Sequence, residues 1–463
     1  MDSVRAAPTT TTCHMVTMPY PARGHINPMM NLCKILALKK TGILVTFVVT
    51  EEWLGFIASD PMPENIRLAS IPNVVPSELV RAANMETFAE AVYTKMEVPF
   101  ERLLDQIEPP PSVIVADTFL CWAVGVGNRR NIPVASFWPM SAAAFSVFQH
   151  FHLFAQNRHF PVDISAQGNE RVDYVPGISS TRLADIPFID GNKQQILQGI
   201  QKNVQWVAKA QYLLFTSTYE HESQTIDVLK AEFPFPVYAI GPTIPFFDLA
   251  ENISLASHDD SDLNYLEWLD CQPRSSVLYI SMGSYISLSS AQTDELAAGL
   301  RDSGARFLWV ARGETRRLKE VYGDHMGLVV PWCDQFRVLS HSSIGGFLTH
   351  CGWNSTKEGV FCGVPFLTIP IGADQLQNSR LIVEDWKIGW RVKEDAGESS
   401  FVTREKIRGL VKNFMDLESD EVKEMRKRAS EVQQIGQRAI AEKGSSETNI
   451  SAFVRDISQC QAR

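Results

Sequence analysis

The sequence predicts an α/β protein with two doubly wound, Rossmann-like domains that face each other across a cleft. Three observations support this prediction: a length of 463 residues, strands that alternate with helices in both halves, and a change of composition near the middle. A chain of this length exceeds one ordinary domain. Strands that alternate with helices are typical of parallel sheets covered by helices on both faces.

The first predicted domain, residues 1–241, contains two strand–helix–strand units. The first unit reads CHMVTMPY, NPMMNLCKILALKK and GILVTFVVT, in which the middle segment has helical periodicity. We expect that helix to have Asn27 as its N-cap and Pro28 as its first residue, since proline is favoured there. The second unit reads SVIVAD, TFLCWAVGVGNRRN and IPVASFW. Two further short buried strands are expected in QYLLFTSTYE and FPVYAIGP.

The second predicted domain, residues 265–446, follows a linker predicted for residues 242–264. The linker segment is rich in Pro, Ser, Asp and Asn, which is typical of a boundary between domains. Beyond it, strand–helix alternation resumes with four apolar strand candidates: SVLYISMGS, RFLWVAR, IGGFLTH and VPFLTIP.

The composition excludes several classes of function. A formal net charge of −10 argues against nucleic-acid binding, because phosphate backbones require a clustered basic surface. No apolar run is long enough to span a membrane, and the N-terminal segment lacks the apolar core of a signal peptide. Eight cysteines without a paired-motif spacing indicate reduced thiols. We therefore expect a cytoplasmic monomer with no nucleic-acid partner and no stable membrane insertion.

Polar residues follow several of the predicted strands. Because ligands bind beyond the carboxyl ends of the strands in open parallel sheets, such residues are candidates for one shared cleft. In the first domain, His25 follows the first strand and Asp117 closes SVIVAD. In the second domain, the polar residues after strands are Ser284, His350, Asp374 and Gln375.

The segment THCGWNSTKEGVFCGVPFLTIP concentrates polar side chains between two apolar runs. Asn354 and Ser355 lie where a helix is expected to begin, and the free N–H groups of a helix N-terminus suit a phosphate. Glu358, one turn later, has the chemistry to accept both hydroxyls of a ribose. An alternative needs no ligand, since Ser355-x-x-Glu358 has the spacing of a capping box.

The longer segment from Trp332 to Gln375 closely resembles the signature box of plant secondary-product UDP-glycosyltransferases. The resemblance extends to PYPARGHINPMMNL near the start and SVLYISMGS before the box. It implies the two-domain GT-B fold, with a last helix in residues 447–460 that packs back on the first domain. It also implies that a UDP-sugar, with UDP-glucose expected from Gln375, and a small-molecule acceptor are the binding partners.

The resemblance implies a role for each polar residue of the second domain. Trp332 is implied to stack on uracil, and Cys333 is implied to contact uracil through its main chain. Gln335 and Glu358 are implied to hold the ribose. The residues implied to hold the diphosphate are Ser284, His350, Asn354 and Ser355. Those implied to line the sugar are Trp353, Asp374 and Gln375. Without the resemblance, Trp332 and Trp353 would be interpreted as core aromatics.

His25 and Asp117 resemble the catalytic pair of the family. An imidazole can take the proton of an acceptor hydroxyl as that hydroxyl attacks the sugar, and a carboxylate on its other nitrogen fixes the tautomer. Direct displacement inverts the anomeric centre. No metal or other cofactor is expected. The predicted activity is therefore inverting glucosyl transfer from UDP-glucose to a hydroxyl or carboxyl of a small lipophilic acceptor.

The box departs from the family pattern at several positions. Asp334 stands where the family usually has Pro, Lys357 where Leu is common, and Arg23 where Gln is frequent. Gly372 occupies a position that is often aromatic, which is expected to loosen the sugar pocket. None of these changes removes a predicted ligand-binding residue.

Four alternatives remain open at this point. A nicotinamide enzyme would need a complete glycine-rich turn, and GVGNRR lacks the third glycine. A metal-dependent transferase would use Asp260-Ser261-Asp262, which lies in the predicted linker, and a thiol enzyme would pair His350 with Cys351. The fourth is a nucleotide-sugar-binding protein without transfer activity. The acceptor pocket is expected in DTFLCW and FWPMSAAAFSVFQHF, which are equally good core segments.

Overall fold

The chain contains two large parallel sheets, each covered by helices on both faces. The computed structural model describes residues 13–39, 42–78, 85–246, 264–283, 288–311, 313, 315–322, 327–393 and 401–459. The first sheet has seven strands and the second has six. This confirms the predicted α/β class with two Rossmann-like domains.

The strands of the first domain are β1 Cys13–Met18, β2 Ile43–Thr50, β3 Ile66–Ile71, β4 Val113–Asp117, β5 Val134–Trp138, β6 Arg171–Val172, β7 Thr181–Arg182, β8 Tyr212–Phe215 and β9 Val237–Ala239. Seven of them form a parallel sheet in the order β3-β2-β1-β4-β5-β8-β9, and β6 and β7 form a separate antiparallel pair. The chain order reverses between β1 and β4, so this sheet has a topological switch point there.

The strands of the second domain are β10 Val277–Ser281, β11 Arg306–Val310, β12 Gly327–Val330, β13 Ile344–Thr349, β14 Phe366–Thr368 and β15 Gly389–Arg391. They form a parallel sheet in the order β12-β11-β10-β13-β14-β15, which is the Rossmann order. Its switch point lies between β10 and β13.

The helices of the first domain are α1 Arg23–Leu38, α2 Glu51–Ile57, α3 Met85–Lys95, α4 Glu97–Leu104, α5 Cys121–Arg129, α6 Ala142–Gln149, α7 His152–Gln156, α8 Ile164–Gln167, α9 Gln194–Trp206 and α10 Ser223–Glu232. Those that follow in the chain are α11 Asn264–Asp270, α12 Ser290–Ser303, α13 Thr315–Tyr322, α14 Gln335–Leu339, α15 Trp353–Cys362, α16 Gln375–Arg380, α17 Arg404–Phe414, α18 Asp420–Ile440 and α19 Ser445–Gln459. Within the described residues of both domains, no helix is long and apolar enough to cross a membrane.

The central strands are apolar on both faces because helices cover both sides of each sheet. All eight residues of β2 and all six of β1 and β13 are buried. Parallel strands that are buried on both faces have continuous apolar sequences, and for this reason the central strands could be predicted from the sequence. The buried strands position the polar loops that follow their carboxyl ends.

Helix α1 begins earlier than the sequence suggested. The expected N-cap at Asn27 is wrong, since the helix starts at Arg23 after Ala22, and Pro28 lies inside it. Proline is disfavoured there, because it has no N–H for the carbonyl four residues earlier. That carbonyl belongs to Gly24, and it accepts a hydrogen bond of 2.9 Å from the Asn354 side chain of the second domain.

The two domains are joined by polar contacts and by the last helix. The guanidinium of Arg391 on β15 donates to both carboxylate oxygens of Asp185 in the first domain, at 2.7 and 3.1 Å. Helix α19 lies against the first sheet, where the Phe453 ring is 5.8 Å from that of Tyr212. Residues 247–263 of the predicted linker lie outside the described residues, as do Asp260 and Asp262. The predicted domain boundaries stay a prediction.

Candidate active site

A cleft of about 1530 Å³ lies between the carboxyl ends of the two sheets. Both domains line it, as expected for ligands that bind at switch points. The predicted site residues that line it are His25, Trp332, Cys333, Gln335, His350, Trp353, Asn354, Ser355, Glu358, Asp374 and Gln375. Asp117 lies directly behind His25, and Ser284 lies outside the described residues.

His25 and Asp117 form a hydrogen-bonded pair on the wall of the first domain. The Nδ1 atom of His25 is 2.8 Å from Oδ2 of Asp117, whose side chain is fully buried. The other carboxylate oxygen accepts from the backbone N–H of Phe119 at 3.0 Å. Because an ionised carboxylate only accepts, Nδ1 carries the proton, and Nε2 is left with a free lone pair. The imidazole stays partly exposed to the cleft, so this lone pair is accessible.

The polar segment of the signature box forms a helix N-terminus. Gly352 is the N-cap of α15, so Trp353, Asn354 and Ser355 supply its first N–H groups. These groups have no partner inside the helix and carry partial positive charge. The capping box proposed as an alternative does not form, since Ser355 sits in the third helical position and not at the cap. The helix N-terminus is therefore available to an anion.

Gln335 connects Ser355 and Glu358 on the floor of the cleft. Its Nε2 donates to Oγ of Ser355 at 3.0 Å and to Oε2 of Glu358 at 2.7 Å. Burial raises the pKa of Glu358 to about 7, although the hydrogen bond from Gln335 opposes this shift. The carboxyl group is thus close to half-ionised at neutral pH before any ligand binds.

His350 is held between two glycines. A Cβ atom at Gly283 or at Gly352 would lie 2.5 Å from Nε2 of His350, which is an overlap. Gly283 also has a φ of +77°, which favours glycine. Burial lowers the pKa of His350 to about 4, so the imidazole is neutral at physiological pH. It can therefore offer a hydrogen bond to a diphosphate but no positive charge.

Asp374 is oriented by a residue that sequence reasoning missed. The buried Asn378, one turn along α16, donates from Nδ2 to Oδ2 of Asp374 at 2.8 Å and to the carbonyl of Cys351 at 2.9 Å. Its Oδ1 is 2.8 Å from the hydroxyl of Ser141 in the first domain. Burial raises the pKa of Asp374 to about 6. The spacing of four residues on one helix was the signal that could have identified this pair.

Gln375 folds back on its own loop. Its Oε1 accepts from the backbone N–H groups of Ile371 at 2.8 Å and Gly372 at 3.3 Å. The amide nitrogen is the group left to donate to a ligand. A Cβ atom at Gly372 would meet nothing within 4 Å, so this side of the site is open.

The two tryptophans of the box differ in exposure. Trp332 is 42% exposed, which is unusual for an indole and leaves a flat aromatic surface at the cleft. Trp353 is 5% exposed and belongs to a core cluster, with its ring 6.4 Å from that of Trp386. The Trp353 ring therefore serves mainly as core, and its backbone N–H is part of the helix N-terminus.

The first-domain wall of the cleft is mostly apolar. Phe119, Pro139 and Met140, from the two segments in which an acceptor pocket was expected, line it. Most of the rest of the second segment is core, including Phe145 and Phe148. The further apolar and aromatic lining residues include Tyr20, Trp53, Phe56, Tyr93, Phe188, Ile196 and Ile200.

Three departures from the family pattern have a structural reason. The backbone N–H of Asp334 donates to the Tyr265 hydroxyl at 3.2 Å, a bond that proline cannot make, and its side chain caps α14. The buried Nζ of Lys357 donates to the Thr243 hydroxyl at 3.0 Å, and burial lowers the pKa of this amine to about 7. The guanidinium of Arg23 lies 5.6 Å from the centre of the Trp53 ring. Each substitution therefore makes a contact of its own.

Comparisons with known proteins identify the family of the chain. The profile of the family described as "UDP-glucoronosyl and UDP-glucosyl transferase" matches residues 189–400. UDP-glycosyltransferase 87A2 of Arabidopsis thaliana is 51% identical over 446 residues, which cover 96% of each chain. UDP-glycosyltransferase 87A1 of the same plant is 49% identical over 443 residues, which cover 96% of this chain and 100% of the relative. The chain belongs to the UDP-glycosyltransferase family. It is an enzyme that uses a UDP-sugar, so the nicotinamide, thiol and binding-only alternatives are set aside.

Solved structures of plant glycosyltransferases have the same fold. Medicago truncatula UGT71G1, complexed with UDP-glucose, superposes with a TM-score of 0.81 at 26% identity, covering 96% of this glycosyltransferase and 98% of that chain. Phytolacca americana UGT2, complexed with UDP-2-fluoro-glucose and pterostilbene, superposes with a TM-score of 0.80 at 26% identity, covering 96% and 100%. The GT-B arrangement predicted from the sequence is thereby confirmed.

Proposed function

We propose that the glycosyltransferase moves glucose from UDP-glucose to a hydroxyl or carboxyl group of a small lipophilic acceptor, with inversion at the anomeric carbon. The observation that carries this proposal is the His25–Asp117 pair, which lies on the apolar wall of the first domain and faces the anion-binding helix of the second. The UDP-glucose of the Medicago truncatula relative supports the choice of donor.

His25 acts as general base for a hydroxyl acceptor. The oxygen of that hydroxyl attacks the anomeric carbon, its proton passes to Nε2 of His25, and the bond between the anomeric carbon and the UDP oxygen breaks. Asp117 holds the proton on Nδ1 and stabilises the imidazolium that forms. A carboxylate acceptor is already ionised and needs no base for this step.

The second domain binds the donor and stabilises the UDP that leaves. The N–H groups of Asn354 and Ser355 lie at the positive end of α15 and suit the diphosphate. Trp332 offers a stacking surface for uracil, and the carboxylate of Glu358 can accept the ribose hydroxyls. In this proposal no metal ion is required, because the helix N-terminus supplies the charge compensation.

The acceptor is proposed to be aromatic or terpenoid in character. The wall around His25 carries the rings of Tyr20 and Phe119, whose centres are 5.1 and 5.6 Å from the imidazole. Such a surface favours a flat, apolar molecule with few polar groups. The pterostilbene bound by the Phytolacca americana relative has this character.

A direct test incubates the purified enzyme with UDP-glucose and a panel of phenols, terpenoid alcohols and carboxylic acids. Mass spectrometry then detects glucosides, with and without excess chelator. We expect β-glucosides of apolar members of the panel, formed equally in both conditions. Activity that is lost in chelator and restored by Mg²⁺ or Mn²⁺ would contradict the metal-free mechanism. A different sugar preference in a donor panel would contradict the choice of glucose.

A further inference from the structure

Helix α1 carries a proline in an unusual place. Pro28 is the sixth residue of the helix that begins at Arg23, and it is buried. In a regular helix, residue 28 would donate its N–H to the carbonyl of residue 24. Because proline has no N–H, the Gly24 carbonyl lacks this helical donor. Gly24 immediately precedes His25, so the free carbonyl belongs to the turn that holds the proposed base.

The missing helical bond is replaced by one from the other domain. The side-chain Nδ2 of Asn354 donates to the Gly24 carbonyl across the cleft at 2.9 Å. Asn354 is the second residue of α15, in the turn that faces the donor diphosphate. The two domains therefore touch at the point where the base helix and the anion-binding helix begin.

This contact fixes which way the Asn354 amide points. If the amide were flipped, its oxygen would face the Gly24 carbonyl, and two acceptors would oppose each other. The amide nitrogen has a second N–H, and diphosphate oxygens only accept hydrogen bonds. The contact with Gly24 thus keeps the amide oxygen, which is buried without a hydrogen-bond partner among the described residues, turned away from the carbonyl.

His25 is consequently held at two points. Its ring is held by Asp117 within the first domain, and its backbone turn is held by Asn354 of the second domain. A further contact fixes the same helix, since Asn31 of α1 donates to the carbonyl of Thr243, at the crossing between the domains, at 3.1 Å. The Thr243 hydroxyl in turn accepts from Lys357 of α15. Thr243 therefore connects α1 to α15 at a second point, in addition to the bond between Asn354 and Gly24.

We propose that Pro28 is a positioning residue, which keeps the Gly24 carbonyl available to Asn354 and so sets the His25 base against the bound donor. The proposal rests on the proposed role of His25. Pro28 contacts neither substrate in this account. It acts by withholding one N–H group from the helix.

The test is Pro28→Ala, which restores an N–H that can draw the Gly24 carbonyl into the helix. We expect kcat to fall by about five- to tenfold, the usual effect of losing one well-placed hydrogen bond in positioning. The Kd of UDP, measured by calorimetry, should stay within about twofold. The Tm should stay equal or rise, because alanine is a far better helix former than proline. A purely structural proline would instead lose activity and Tm together.

Two further variants make the test specific. In an Asn354→Ala background, Pro28→Ala should have no additional effect on kcat, because the contact is already gone. Pro99→Ala is the matched control, since Pro99 lies in the first turn of α4, where its missing N–H has no helical acceptor. It should leave kcat unchanged.

The outcomes separate this proposal from the proposed function. Parental kcat in Pro28→Ala, or an undiminished loss in the Asn354→Ala background, would overturn the positioning role. His25→Ala, assayed in parallel with the same alcohol acceptor, tests the base itself. If that variant is inactive while Pro28→Ala is normal, only the positioning proposal fails. If His25→Ala is normal, the base assignment fails with it.

Discussion

Burial decides the charge of individual side chains in the donor site. It raises the pKa of Glu358 to about 7 and lowers the pKa of His350 to about 4, since an enclosed carboxylate or imidazolium loses hydration. At neutral pH the imidazole of His350 is therefore uncharged, and the carboxyl of Glu358 is about half ionised in the empty site. In the proposed function, the positive potential for the diphosphate therefore comes mainly from the start of α15.

The shift at Glu358 makes donor binding depend on pH. In the proposed function the ionised carboxylate of Glu358 accepts both ribose hydroxyls, whereas the protonated form has lost much of this capacity. With a pKa of about 7 in the free enzyme, the ionised fraction falls as pH is lowered through 7. We therefore expect the Kd of UDP to rise by up to about tenfold between pH 8 and pH 6. Calorimetric titration at several pH values measures this.

Glu358→Gln is the control for that titration. It cannot ionise, so its UDP affinity should be lower than that of the parent at pH 8 and should vary less with pH. The variation that persists in Glu358→Gln belongs to other groups, including the phosphates of UDP. An equal pH dependence in both proteins would show that Glu358 does not titrate in this range.

At the level of elements, Gly283 in the loop after β10 packs directly against the side chain of His350. Gly283→Ala should raise the KM for UDP-glucose by about tenfold or more, because its Cβ atom overlaps Nε2 of His350 and alanine is strained at a φ of +77°. Steady-state kinetics with a saturating acceptor measures the effect. Gly409→Ala on α17 is the matched control, since its Cβ atom would meet nothing within 4 Å. Similar KM values for all three proteins would contradict the packing argument.

The sequence indicated the central strands better than the edges of the sheets. The strands β3, β12 and β15 were not predicted, and each of them is an edge strand of its sheet. Edge strands are covered less completely, so their apolar pattern is weak: two of the six residues of β3 are buried, and in β15 only Gly389 is. The buried strands gave long apolar runs that needed no tertiary information.

Helix starts and long-range contacts could be determined only from the structure. Local preference placed Pro28 at the start of α1, but the helix extends one and a half turns further, and Asn354 from the other domain bonds to the Gly24 carbonyl. The polar residues at strand ends could be predicted because parallel sheets gather their carboxyl ends. The supporting roles of Asn378 and Gly283 could not, because they depend on packing between loops distant in sequence.

For the whole molecule, a buried ion pair joins the two domains. Asp185 of the first domain bonds to Arg391 of the second and to Arg182 of its own domain. Burial raises the pKa of Asp185 to about 6, although Arg182 and Arg380 oppose this shift. A buried carboxylate is stable in its ionised form only when its partners donate hydrogen bonds and positive charge to it. The pair therefore contributes to the fixed relation of the two sheets around the cleft.

Arg391→Met should destabilise the enzyme by about 3 kcal/mol, because it leaves the Asp185 carboxylate buried with one partner fewer. Urea denaturation at pH 7.5 measures the change. Arg404→Met is the matched control, since the Arg404–Glu295 pair lies at the surface and should contribute less than about 1 kcal/mol. Equal effects for the two variants would show that the interdomain pair behaves as a surface pair.

The measurement that tests the central claim most directly is the kcat of His25→Ala with an aliphatic alcohol acceptor. Because positioned proton transfer usually contributes about 10²- to 10⁴-fold, we expect kcat to fall by that factor while the Kd of UDP stays unchanged. Asp117→Asn should lose less, since it misorients the base without removing it. An acidic phenol, already partly ionised, should be affected less than the alcohol. Near-parental turnover of the alcohol by His25→Ala would contradict the assignment of His25 as the base.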